Sequence, residues 1–136
     1  VVGSQKILLV EDNLELRAIY EQYLRRRGYD IVSAVDGEEG LKLAKEIRPG
    51  LIFLDIMMPK VDGLKVLKLL RHDETYGCTK AKIVLLTNLG DATRVDPKVQ
   101  KDMDGYVIKA EIELSDLIDI IKSFEEMPQQ NKDASE

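Results

Sequence analysis

The sequence predicts an α/β fold of the doubly wound, flavodoxin-like kind: a five-stranded parallel sheet in the order 2-1-3-4-5 with five helices. Three observations carry this. Five short apolar runs alternate with five stretches of helical periodicity. The runs are continuous rather than alternating, as in strands covered by helices on both faces. The connections are short and no repeat is visible, which favours right-handed crossovers in one sheet. At 136 residues the chain has the size of one domain, divided into an N-terminal extension (1–5), a folded unit (6–126) and a polar tail (127–136).

Each element has local signals. Lys6 to Val10, KILLV, is strand one and leads into Glu11-Asp12-Asn13. Leu16, Ile19, Tyr20, Tyr23 and Leu24 then recur at helical spacing until Gly28, with Asp12 or Asn13 as the cap. Tyr29 to Val35 is strand two. Asp36 and Glu39 have capping-box spacing, Gly40, Leu43, Ala44 and Ile47 make the buried face of helix two, and Pro49-Gly50 ends it. Leu51 to Leu54 is strand three, delivering Asp55 to the rim of the sheet; beyond it Pro59 cannot extend a strand, and Gly63 permits an unusual backbone or a close approach. Helix three starts near Asp62 or Gly63, buries Val66, Leu67 and Leu70, and ends at His72, where a cation suits the helix dipole.

Lys82 to Leu86, KIVLL, is strand four and runs into Thr87-Asn88. Ala92, Val95, Val99 and Met103 suggest helix four, interrupted by Pro97. Either Asp96-Pro97 is the N-cap and first residue of a late helix, or a helix from about Asp91 must kink. Gly105 to Ile108 is strand five, ending at Lys109, and Leu114, Leu117, Ile118, Ile121 and Phe124 mark helix five. From Met127 the polar tail is expected to fray.

Composition narrows the function. Apolar content of 44% and charged content of 33% describe an ordinary soluble globular chain, and a net charge of −5 disfavours a direct nucleic-acid surface. The one basic cluster, Arg25-Arg26-Arg27, reads as a solvated helix end. The single cysteine, Cys78, can form no internal disulfide, and no membrane span or signal peptide is visible, so a cytoplasmic location without membrane contact is expected.

The polar residues converge. Strands one and three are neighbours in the 2-1-3-4-5 order, and the chain reverses between them, which is where open α/β sheets bind ligands. Glu11 and Asp12 leave strand one, Asp55 strand three, Thr87 strand four and Lys109 strand five, whereas strand two ends in Ala34 and Val35. Three carboxylates in one crevice repel each other, which should raise at least one pKa, and an oxygen-rich set of this kind suits Mg²⁺. With Lys109 and the Thr87 hydroxyl, the group points to phosphoryl transfer onto Asp55. No glycine-rich loop follows strand one, against nucleotide or flavin binding through such a loop.

These residues resemble the receiver domain of two-component response regulators over about residues 6 to 126, through VEDN, LDIMMPKVDG, LLTN and GYVIK at four strand ends. The resemblance implies a phosphorelay switch rather than a classical enzyme. Asp55 would be the phosphoacceptor. Asp12, Asp55 and the Met57 carbonyl would hold Mg²⁺, with Glu11 acting through a metal-bound water. Thr87 and Lys109 would contact the phosphoryl group, and Tyr106 would switch the face of helix four, strand five and helix five. The implied partners are a sensor histidine kinase or phosphotransfer protein and a downstream target protein. Two departures stand out: Ala110 follows Lys109 where the family has proline, and Pro97 falls in the signalling helix.

Two other readings fit the same fold. A degenerate receiver serving as a constitutive interaction module should lack Asp55, Thr87 or Lys109, and all three are present. A Mg²⁺-dependent phosphatase should carry a carboxylate two residues after Asp55, where Met57 stands. A trans Lys109-Ala110 peptide is expected, because cis costs about 2.5–4 kcal/mol before a non-proline residue. Apolar Met57 and Leu89 are expected to shield the acyl phosphate from water and prolong its life.

Overall fold

Strand residues of alternate parity point to opposite faces of a sheet, and here both faces are apolar. In β1 (Lys6–Val10), Ile7 and Leu9 enter one core while Leu8 and Val10 enter the other. The same split separates Leu51 and Phe53 from Ile52 and Leu54 in β3 (Leu51–Asp55), and Val84 and Leu86 from Ile83 and Leu85 in β4 (Lys82–Thr87). Continuous apolar runs thus become strands covered on both sides. The computed structural model describes residues 5–58, 62–88 and 97–134. Within them β2 (Asp30–Ala34) and β5 (Gly105–Ile108) complete a parallel sheet of order β2-β1-β3-β4-β5, as the sequence predicts.

Helices α1 (Leu14–Arg26) and α5 (Leu114–Ala134) cover one face, burying Tyr20, Leu24, Leu117 and Ile121. Helices α2 (Gly37–Ile47) and α3 (Gly63–His72) cover the other, with Ala44, Val66, Leu67 and Leu70. The caps follow the sequence signals. Asn13 accepts from the Leu16 amide at 2.9 Å, Asp36 from Glu39 at 2.9 Å, and Asp62 from Leu64 at 3.0 Å. Glu39 reaches back to the Val35 amide at 2.8 Å, one residue beyond the usual capping-box partner. A short 3₁₀ turn, Glu74–Tyr76, follows α3.

Three expectations change. Among the described residues there are four helices of at least ten residues, and the expected fourth helix is one turn, α4 (Pro97–Gln100). Pro97 is the first described residue of that turn, a position where its missing N–H costs little; Asp96 and the alternative start near Asp91 lie outside the described residues. Ile19, one of the apolar residues at helical spacing in α1, is 48% exposed because it falls at the flank of the arc centred on Tyr20 and Leu24. Finally, α5 continues past Met127 to Ala134. Extending an existing helix is far easier than starting one, so residues of ordinary helical propensity can follow α5 even across Pro128. Among the described residues no helix is long and apolar enough to cross a membrane.

Candidate functional site

All five predicted rim residues gather at the C-terminal edge of β1, β3, β4 and β5. Glu11, Asp55 and Thr87 are fully buried, whereas Asp12 is exposed. Carboxylate oxygens of Glu11, Asp12 and Asp55 lie within 4.8 Å of one another. Gly63 lets the start of α3 pass close to the end of β3: a side chain at Gly63 would meet the Ile56 Cα at 2.4 Å and the Asp55 carbonyl at 2.7 Å. Close approach, not an unusual φ, is therefore what Gly63 supplies.

Lys109 closes the cluster. Its Nζ donates to Glu11 Oε1 at 3.1 Å and Asp55 Oδ2 at 3.0 Å. The other carboxylate oxygens are also engaged: Glu11 Oε2 accepts from the Asn13 amide at 3.0 Å, and Asp55 Oδ1 from the Met57 amide at 2.9 Å. Every described peptide bond is trans, Lys109-Ala110 included, and the lysine still reaches both acids. Its own amide bonds the Thr87 carbonyl at 2.8 Å, continuing the β4–β5 pairing to the site.

The electrostatics follow from burial. Glu11 is pushed up to about 7, chiefly by desolvation, with the Asp55 charge adding and the Asn13 amide and Lys109 opposing. The expected rise of a carboxylate pKa is present, but burial outweighs repulsion as its cause. Burial also works against the Lys109 ammonium, yet its bond to Asp55 and the charges of Asp55 and Glu11 prevail and hold its pKa above the ordinary value.

The donor set is what a hard divalent cation takes: carboxylate oxygens converging from two strand ends, with no sulfur or imidazole. The remaining predicted residues lie close in sequence to these groups. Thr87 Oγ1 donates to the Asn88 carbonyl at 3.0 Å. Met57 is 50% exposed beside Asp55. Tyr106, on β5, is 49% exposed and borders a groove of about 370 Å³ with Ile108, Ile112 and Asp116. Leu89 and Pro59 lie outside the described residues. His72 sits at the opposite edge of the sheet, bonded to Asp102 at 2.8 Å, apart from this cluster.

One contributor escaped the sequence reading. Arg17 Nη1 donates to the Glu11 carbonyl at 2.8 Å and so fixes the exit of β1. Its signal was available: a cation near a helix N-terminus runs against the dipole and calls for another partner.

Residues 7–122 match the response regulator receiver domain family. Among curated proteins, the probable transcriptional regulator ycf27 of Cyanophora paradoxa is 38% identical over 108 residues, covering 79% of this chain and 43% of the relative. The chain thus spans less than half the length of that relative. Among solved structures, the response regulator TrrA of Thermotoga maritima, in complex with Mg²⁺ and BeF, has a TM-score of 0.75 at 31% identity, covering 88% of this chain and 97% of that one. The receiver domain of a sensor histidine kinase from Pseudomonas aeruginosa, with magnesium coordinated in its active-site cleft, has a TM-score of 0.74 at 29% identity, covering 88% and 95%. With the fold, the acidic cluster and the family match in agreement, this chain belongs to the response regulator receiver domain family.

Proposed function

We propose that residues 6–126 form a phosphorylation-dependent switch that accepts a phosphoryl group on Asp55 in a Mg²⁺-dependent reaction and signals through α4, β5 and α5. What supports this most is the ammonium of Lys109 held between two fully buried carboxylates, Glu11 and Asp55, at the ligand-binding edge of the sheet. In this reading an Asp55 oxygen attacks the phosphorus of a phosphohistidine on a sensor kinase or phosphotransfer protein. The O–P bond forms as the P–N bond breaks, and the imidazole leaves with that electron pair and takes a proton from solvent. Lys109 follows the charge from the carboxylate to the phosphoryl oxygens. Asp12, Asp55 and the Met57 carbonyl would hold Mg²⁺, with Glu11 through a water, and the bound ion would supply charge neutralisation at the transferred group.

Thr87 then exchanges its bond to the Asn88 carbonyl for one to a phosphoryl oxygen. Tyr106, exposed in the structure, turns into the space this opens. Each new charge-assisted contact contributes about 1–3 kcal/mol, enough to invert a modestly biased equilibrium. The downstream target is a protein docking on the altered face, in the cytoplasm. Intact-mass and peptide mass spectrometry after incubation with Mg²⁺ and a small phosphodonor test the reading. A single phosphate on Asp55 is expected; no adduct favours the constitutive module, and sustained donor hydrolysis the phosphatase.

A further inference from the structure

A second polar assembly sits at the opposite, N-terminal edge of β4 and β5, centred on Arg71 in the last turn of α3. Its guanidinium makes four bonds: Nε to the Asp102 carbonyl at 2.8 Å, Nη1 to the carbonyls of Thr79 at 3.0 Å and Ala81 at 2.8 Å, and Nη2 to Asp104 Oδ2 at 2.8 Å. The neighbouring His72 bonds the Asp102 carboxylate at 2.8 Å. Three of the Arg71 partners are loop carbonyls, which need donors as much as any strand carbonyl does. A planar fork of five donors can serve them together with a carboxylate, and an ammonium cannot.

The consequence runs through Asp104. The oxygen that meets Arg71 also accepts from the Ile83 amide at 2.8 Å, and the Asp104 amide donates to the Ile83 carbonyl at 2.7 Å. Asp104 thereby makes a closed pair with Ile83 just before the first β4–β5 partners, Val84 and Gly105. Strand β5 has four residues, lies at the edge of the sheet and, among the described residues, pairs with β4 alone. So short a ladder specifies its register weakly, and a slip of one residue would turn every side chain to the other face. The side chains at stake are Tyr106 within the strand and Lys109 at its end.

We infer that Arg71 is a positioning residue for β5: acting through Asp104, it fixes the start of the strand and so sets the placement of Lys109 and Tyr106. With the start held, any rearrangement around Lys109 moves the strand about the Asp104 end, and Tyr106 lies between the two. This second half rests on the proposed phosphoryl switch; the first half does not. A mere loop staple would lower stability on removal and leave the behaviour of Tyr106 unchanged.

Amide hydrogen exchange on the metal-free protein, followed by NMR, tests the first half with Arg71→Gln, Asp104→Ala and the double variant. Exchange at the Ile83 amide, which bonds Asp104, and at the Val107 amide, which faces β4 in the ladder, should quicken by about ten-fold or more in each single variant, with little further change in the double, since both break one link. Wild-type exchange at Val107 in both single variants would overturn the inference. Adding Mg²⁺ and beryllofluoride tests the second half: bound ¹⁹F signals should persist in Arg71→Gln while the shift of the Tyr106 ring resonances falls by half or more. A full wild-type shift there would overturn the coupling, whereas no shift in the wild type itself would count against the phosphoryl switch. If Arg71→Gln fails to fold, Arg71→Lys, which keeps the charge without the fork, undergoes the same measurements with the same criteria.

Discussion

Strand β5 is held at each end by a cation, and the two do different work. At its start Arg71 spreads four bonds over three carbonyls and the Asp104 carboxylate. At its finish Lys109 shares one ammonium between Glu11 and Asp55. The arginine fork fits one geometry and cannot be rearranged without orphaning carbonyls, while the lysine is a point charge that can follow its partners. Fixed architecture lies at one edge of the sheet and exchangeable chemistry at the other. The side-chain exposures of the two cations are the same, 16%, so the difference is in partners rather than burial.

The comparison breaks hardest at Asp55. Replacing it with asparagine should abolish the phosphate adduct seen by mass spectrometry and leave the far-UV circular dichroism spectrum unchanged, because an isosteric amide keeps the fit without the nucleophile. An adduct of undiminished yield would move the acceptor elsewhere. At the other edge, Arg71→Ala should cost about 1–3 kcal/mol in urea unfolding, since it leaves three part-buried carbonyls without their donor. A cost near zero would mean that water serves those carbonyls equally well.

A pH series sharpens the contrast. Glu11 binds its proton more tightly in the folded state, at about 7, than at its ordinary value of 4.5. The metal-free fold is therefore most favoured below about pH 4.5 as far as this group is concerned, and loses on the order of 3 kcal/mol as pH rises through 7. Urea unfolding at intervals across that range should show the decline, and Glu11→Gln should flatten it. A wild-type curve as flat as that of the variant would refute the assignment.

Lys109→Met should tighten Mg²⁺ binding roughly ten-fold by calorimetry, because it removes a cation that already occupies an oxygen of Glu11 and one of Asp55. Weaker binding would mean that Lys109 organises the site rather than competing for it. The smallest effect belongs to Met57, half exposed two residues beyond Asp55. Met57→Asn should speed loss of phosphate by about two- to five-fold if apolar shielding slows the in-line water, and an unchanged rate would place control of water access elsewhere.

Much of this was legible in the chain because the information is local. Continuous apolar runs marked the strands, Asp12 or Asn13, Asp36, and Asp62 or Gly63 the helix starts, and the residues after the strands the rim of the sheet. Hydrophobic period, cap chemistry and strand polarity need only a few neighbouring residues, so sequence alone determined the fold class and the roster of rim residues. The length of α5 and the exposure of Ile19 were less legible, since they depend on helix propagation and on the width of the buried arc rather than on any single residue.

Tertiary structure decided what those residues do to one another. Glu11 and Asp12 are adjacent in sequence, yet one is fully buried and the other exposed, because successive residues leaving a strand face opposite ways. The bonds from Lys109 to Glu11 and from Arg71 to Asp104 span 98 and 33 residues. No local period encodes such distances; only the packing of one sheet between two helical layers brings the ends of its strands within reach of a single side chain.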